Sequence, residues 1–159
     1  MKIYNILFLC THNSARSILG EALASTHPSG KFVGYSAGST PGNSVNPIAA
    51  EIAVDLGIDR TLLKSKSWDV FGEPNAPKMD FIITVCDNAA GEVCPFWPGQ
   101  PATAHWGFPD PSQVQGSDLE KKAAFIEVMN GLKKRLDILA AMPLDKLDSM
   151  SLKEVHTKA

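Results

Sequence analysis

The sequence predicts an α/β protein: a three-layer sandwich with a central, mostly four-stranded parallel sheet flanked by helices. Three observations lead there. Apolar runs at Ile3–Leu9, Lys31–Ala37, Asp80–Val85 and, more weakly, Ala102–Trp106 alternate with segments of helical period. The first and third runs are short and mostly apolar, as strands buried on both faces are. Gly, Pro, Asn and Ser clusters punctuate the run ends. Strands alternating with helices imply right-handed crossovers and a ligand site outside the carboxyl ends of the strands.

Taken in order, the first strand runs into a polar loop and then a helix with Ile18, Leu19, Ala22 and Leu23 on one face. That helix fades near Thr26 to Gly30. The second strand is ended by Gly38-Ser39-Thr40-Pro41-Gly42. Asn46 is a good N-cap with Pro47 at the first helical position. Ile48, Ile52 and Leu56 share a face of that helix, and Gly57 suits its C-terminal turn. The third strand ends at Cys86, and a Pro/Gly-rich loop follows from Cys94 to Pro101. Ser117 caps the last long helix, where Leu119, Ala123, Ile126, Met129, Leu132, Leu136 and Leu139 form the expected core-facing stripe. Residues 1–142 are expected to form a single catalytic domain, and 143–159 a tail that is a short helix or frayed.

Bulk properties narrow the function. A chain of 159 residues with 44% hydrophobic and 20% charged residues has enough volume for one good core. A net charge of −2 provides no general basic surface, so no nucleic-acid partner is expected. The longest apolar run is too short to span a bilayer. The first residues run into a strand with no secretory h-region, so a cytoplasmic location is expected. A monomer is expected from the unremarkable surface composition. Three cysteines, Cys10, Cys86 and Cys94, are too few and too odd in number for a secreted disulfide framework.

Cys10-Thr11-His12-Asn13-Ser14-Ala15-Arg16-Ser17 carries the chemistry. It places a sulfur and a guanidinium, with five residues between them, between a strand and a helix N-terminus. Backbone N–H groups there lack intrahelical partners, and a concave run of them binds an oxyanion. Thr11, His12, Asn13, Ser14, Ala15 and Arg16 are the expected anion-binding residues. Arg16 adds a planar fork suited to two oxygens of a tetrahedral anion. The same surroundings favour a thiolate at Cys10, and Ser17 is placed to donate a hydrogen bond to it. The competing reading is a buried structural cysteine at a strand end; an inert thiol gains nothing from an arginine beside it. His12 either tunes loop electrostatics or hydrogen-bonds within the loop, and the second is favoured.

Cys86 and Cys94 flank a polar segment, Asp87 to Val93. If the first and third strands are neighbours, about 4.8 Å apart, Cys10 and Cys86 come within reach of a disulfide after modest loop movement. Three sulfurs permit a relay by thiol–disulfide exchange. Zinc on Cys86, Cys94 and His12 or His105 is the metal alternative, but C-x7-C lacks the usual short ligand spacing, so no metal is expected. A packing role for Cys94 is the other alternative. Asp110, between Pro109 and Pro111, is a candidate general acid over the Cys10 loop; a plain turn aspartate is the competing reading.

These motifs in this order resemble the low-molecular-weight protein tyrosine phosphatase family. The Cys86 to Cys94 pair and His105-Trp106-Gly107-Phe108-Pro109-Asp110-Pro111 are similar, more narrowly, to the cytoplasmic arsenate reductases built on that fold. The resemblance spans roughly the first 140 residues. It implies that Cys10 attacks arsenate, with phosphate or sulfate as mimics, while Asp110 assists loss of an oxygen as water. It further implies a Cys10–Cys86 disulfide, then a Cys86–Cys94 disulfide reduced by thioredoxin or by glutaredoxin and glutathione. No organic cofactor is required. Some members hold a potassium ion, and Asn13, Glu21 and Ser36 match three of its ligands; the fourth position falls at Lys66. A Lys66 ammonium standing in for the cation predicts a potassium-independent enzyme; the alternative is a solvated surface lysine. The rival function, hydrolysis of phosphotyrosine, needs an aromatic wall. In that branch tyrosine commonly follows Asp-Pro, where this chain has Ser112.

Overall fold

The computed structural model describes residues 2–13, 15–42, 44–85, 101–144, 152, 154 and 155. Four strands form one parallel sheet in the order β2-β1-β3-β4, with β1 Tyr4–Cys10, β2 Phe32–Gly38, β3 Phe81–Thr84 and β4 Ala102–His105. The chain steps from β1 to β2 on one side, then crosses to β3 on the other. The crevice at the carboxyl end of β1 is therefore a topological switch point, where open α/β sheets bind ligands.

Alternation along β1 assigns the two faces. Ile6, Phe8 and Cys10 point into the larger core, with residues of α1 (Arg16–Ser25), α2 (Pro47–Asp55) and α3 (Asp118–Ala140). Leu7 and Leu9 point the other way, against Trp68, Phe71, Met79 and Ile82. Trp68 and Phe71 belong to a 3-10 helix, Trp68–Gly72. Among the described residues the three α-helices thus share one face, and a 3-10 helix covers the second.

The expected caps form. Asn46 Oδ1 accepts from the Ile48 and Ala49 amides. Ser117 and Glu120 make a reciprocal capping box. Helix α1 is buried nearly all round, including Ser17 and Gly20, because it lies between the sheet and the other two helices.

The α3 stripe requires a correction. Phe125, Val128, Leu132, Leu136 and Leu139 face the core, whereas Leu119 is 81% exposed and Ile126 36%. Two apolar stripes share the N-terminal half of this helix and merge at Leu132. The stripe on Phe125 turns inward, and Leu119, Ala123 and Ile126 are left on the outer side.

Beyond Pro143, Leu144 is buried, and Leu152, Glu154 and Val155 are helical. Leu152 and Val155 are fully buried in the main core, and the Leu152 carbonyl accepts the indole N–H of the fully buried Trp106 at 2.9 Å. This segment therefore packs under the strand that leads to Asp110. No helix among the described residues is long and apolar enough to cross a membrane.

Candidate active site

Cys10 is the last residue of β1, buried at 5% exposure and paired in register with Gly38 of β2. The loop after it is pinned from outside. The Ser39, Thr40 and Gly42 amides donate to the Cys10, Thr11 and His12 carbonyls at 3.2, 2.8 and 3.0 Å. The Ser65 hydroxyl donates to the His12 carbonyl at 2.8 Å. Those carbonyls are drawn outward toward β2 and its following turn. Gly38 permits the close approach: a Cβ there would stand 2.5 Å from the Thr11 oxygen.

Asn13 is fully buried at φ +50°, a left-handed conformation that asparagine tolerates better than most residues. Its side chain spans the loop, with Nδ2 donating to Ser17 Oγ at 2.9 Å and Oδ1 accepting the Lys66 amide at 2.9 Å. Since Ser17 accepts from Asn13, its hydroxyl hydrogen is left to donate, as a thiolate partner must. His12 is exposed, and its Nδ1 donates to the Thr40 carbonyl at 3.0 Å. The expected bond within the loop is thus replaced by one to the turn after β2, because that turn wraps the loop's outer side. Ser14 lies outside the described residues.

Helix α1 begins at Arg16, and Ala15 at its N-cap offers no side-chain acceptor. The first-turn amides are therefore not satisfied by their own cap residue, which suits an anion. Arg16 Nη1 donates to the Phe108 carbonyl at 2.7 Å, and Nη2 stands 3.7 Å from Asp110 Oδ2. Arg16 and Asp110, far apart in the chain, thus meet at the mouth of the loop.

Asp110 caps a short 3-10 helix, Pro111–Gln113. Its Oδ1 accepts both the amide and the hydroxyl of Ser112, at 2.9 and 2.7 Å. Partial burial opposes ionisation, but the two Ser112 bonds, the Arg16 charge and Gln113 outweigh it and hold the carboxyl below its usual value. The sequence reading used Ser112 only against an aromatic wall and missed this role. The signal was present: Asp-Pro-Ser is an N-cap followed by proline at the first helical position.

Glu21, Ser36 and Lys66 gather beside Asn13 behind the loop. Ser36 Oγ donates to Glu21 Oε1 at 2.8 Å; Lys66 Nζ lies 3.5 Å from Ser36 Oγ and 3.7 Å from Glu21 Oε1. Lys66 Nζ also donates to the Lys64 carbonyl at 2.8 Å. Burial outweighs the mutual attraction of the pair, raising Glu21 and lowering Lys66 from their ordinary values. Asn13 Oδ1 is taken by the Lys66 amide, and an ammonium already shares the Glu21 and Ser36 oxygens.

β1 and β3 are neighbours, with Leu9 opposite Thr84 and the Val85 amide donating to the Leu9 carbonyl at 2.9 Å. Cys86 and Cys94 themselves lie outside the described residues. Of the two histidines weighed for zinc, His105 Nδ1 stands 2.8 Å from Thr84 Oγ1 and His12 is bound to Thr40.

Comparison with known proteins agrees with this geometry. The family profile described as low molecular weight phosphotyrosine protein phosphatase matches residues 5–151. A relative from Halalkalibacterium halodurans named arsenate reductase is 36% identical over 135 residues, covering 85% of this chain and 94% of the relative. One of the same name from Bacillus subtilis strain 168 is 34% identical over 131 residues, 82% of this chain and 91% of the relative. A solved arsenate reductase in its phosphate-binding state aligns with TM-score 0.64 and 27% identity, over 87% of this chain and 98% of that one. By the match over residues 5–151 and by relatives 34–36% identical, the chain belongs to the low molecular weight phosphotyrosine protein phosphatase family, with arsenate reductases among its relatives.

Proposed function

We propose that this protein reduces arsenate to arsenite in the cytoplasm, as a monomer, and so detoxifies arsenic. The single observation that carries the reading is the meeting of Asp110 with Arg16, at the uncapped helix N-terminus that follows the loop from a buried strand-end Cys10. The relatives named arsenate reductase support the choice of oxyanion.

The Cys10 thiolate attacks arsenic while Thr11 to Arg16 hold the tetrahedral oxygens. A sulfur–arsenic bond forms and one oxygen leaves, taking a proton from Asp110 to depart as water. The bonds from Ser112 and the Arg16 charge favour an ionised Asp110, so the proton enters with the substrate. The bound anion engages Arg16 and brings negative charge up to Asp110, and both changes favour the protonated carboxyl that passes on that proton. Cys86 then attacks the Cys10 sulfur. The sulfur–arsenic pair passes to arsenic, which leaves as arsenite, and a Cys10–Cys86 disulfide remains. Cys94 attacks Cys86 and frees Cys10 as a thiolate, and an external dithiol of the thioredoxin type reduces the Cys86–Cys94 bond. Arsenic accepts two electrons and one disulfide forms, so each turnover balances.

No potassium ion is needed, because the Lys66 ammonium supplies positive charge beside Glu21 and Ser36. Phosphotyrosine hydrolysis is the less supported reading: the residue after Asp110-Pro111 is Ser112, whose amide and hydroxyl donate to the acid, where an aromatic side chain would be needed.

The test is NADPH loss with arsenate, thioredoxin and thioredoxin reductase, with glutathione and glutaredoxin as the second arm. Turnover is expected in one arm, and Cys94→Ser is expected to stop it while sparing slow phosphate-ester hydrolysis. Absence of arsenate-dependent NADPH loss in both arms, or wild-type cycling by Cys94→Ser, overturns the relay.

A further inference from the structure

Arg16 is fixed by a residue that the reaction does not consume. Its Nη1 donates to the Phe108 carbonyl at 2.7 Å, shorter than its 3.7 Å approach to Asp110. Phe108 is itself held at two places. Its amide donates to the Val85 carbonyl at 3.1 Å, tying it to the end of β3. Its ring lies under the Arg135 guanidinium, 4.8 Å from centroid to carbon. Arg135 is set there by its own bond from Nη1 to the Gly131 carbonyl, one helical turn earlier, at 2.8 Å.

Gly131 completes the seat. A Cβ at this position would stand 2.7 Å from Phe108 Cε1, so only glycine lets the ring lie this close to α3. Mid-helix glycine costs about 1 kcal/mol relative to alanine, which makes its presence in α3 an expense that the Phe108 contact explains. Packing alone does not hold the ring. A cavity of about 390 Å³ lies between the acid loop at Phe108, Pro111 and Val114 and the α3 face at Ala124, Val128 and Gly131. Phe108 therefore packs against the main core on one side, borders open space on another and carries the Arg135 guanidinium over its ring.

We infer that Phe108 is a positioning residue, seated by Gly131 and Arg135 of α3, whose carbonyl sets where the Arg16 guanidinium stands over the oxyanion cradle. The inference rests on the oxyanion reading of the site and adds a remote control on its affinity. One N–H of Arg16 is spent on Phe108 and Nη2 faces Asp110 at 3.7 Å; the guanidinium that the anion meets is thus held in place before binding. Loosening the seat returns rotational freedom to Arg16, which the anion must then remove on binding. Because Asp110 follows Phe108 by two residues, the acid and the arginine move together.

The test uses alkylation of Cys10 by iodoacetamide, with sulfate or arsenate titrated as protectant, on the full-length protein carrying Cys86→Ser and Cys94→Ser so that one thiol reports. Gly131→Ala strengthens the helix but pushes the ring, so its thermal midpoint is expected to hold or rise while protection weakens. A purely structural glycine would give no such split. Arg135→Met removes the cation from the ring, and the half-protecting anion concentration is expected to rise roughly two- to fivefold, the usual worth of such a contact. Arg135→Lys keeps a cation there and is expected to recover most of the loss. In turnover the same variants raise KM more than they lower kcat. Protection of the parent with unchanged half-protecting concentrations in Gly131→Ala and Arg135→Met overturns the positioning role alone. A parent unprotected by either oxyanion overturns the site reading with it.

Discussion

Replacing Arg16 by lysine preserves charge and removes geometry, and the structure fixes how much should be lost. The guanidinium is 14% exposed, bonded to Phe108 at 2.7 Å and facing Asp110 at 3.7 Å. A lysine ammonium is a point charge that cannot serve a carbonyl on one side and two anion oxygens on the other. A hydrogen bond involving a charged group is worth about 1.5–3 kcal/mol. Losing the Phe108 tether and one prong on the anion therefore costs about 3–6 kcal/mol by the same measure. At about 1.4 kcal/mol per tenfold, kcat/KM for arsenate should fall by roughly 10² to 10⁴. The assay is the initial rate of NADPH loss at subsaturating arsenate, with circular dichroism and a melting curve to show that the variant is folded. A folded Arg16→Lys within tenfold of the parent would refute the two-pronged cradle.

Three further outcomes follow from other parts of the molecule. Initial rates should change less than about twofold, well under 1 kcal/mol, when potassium replaces choline at constant ionic strength; a steep rise would mean that Lys66 does not fill the cation position. The folded Asp110 carboxyl lies below its unfolded value, so its ionised form adds stability above the ordinary carboxylate range, and that contribution is lost as pH falls through the depressed value. Asp110→Asn should accordingly flatten the acid limb of melting temperature against pH, and a superimposable limb would contradict the hydrogen-bonding scheme at Ser112. Ending the chain after Leu144 removes the fully buried Leu152 and Val155 and the acceptor of the Trp106 indole. At about 1.5–3 kcal/mol per buried side chain the loss is about 3–6 kcal/mol, or a midpoint lower by roughly 6–24 °C; an unchanged melt would show the tail to be dispensable.

The strands and caps were legible because each is specified locally. A continuous apolar run, Asn46 before Pro47 and Ser117 before Glu120 carry their own instructions. The approach of Asp110 to Arg16 was legible for a different reason: in a parallel sheet the loops after β1 and β4 both lie at the carboxyl end of the strands. The phase of α3 was not, since Leu119-Ala123-Ile126 and Phe125-Val128-Leu132 both satisfy helical spacing and only tertiary packing chooses between them. The grip of Phe108 on Arg16 was hidden too. It is made by a backbone carbonyl, which every residue has, and by a glycine on a helix that the sequence marks only as a weak helix former. Likewise the wrapping of the Cys10 loop by Ser39, Thr40, Gly42 and Ser65 runs through main-chain oxygens and leaves no motif.

Ala15 opens helix α1 with a methyl group where a Ser, Thr or Asp would commonly close the first turn. A side chain of that kind would contribute about 0.5–2 kcal/mol to the resting protein, and it would compete for the same amide hydrogens that the oxyanion needs. The unliganded chain gives up that increment, and the incoming anion supplies it. Catalysis and the last increment of helix formation thus draw on one set of donors, so a tight oxyanion mimic is also a conformational stabiliser whose grip can be read from a melting curve.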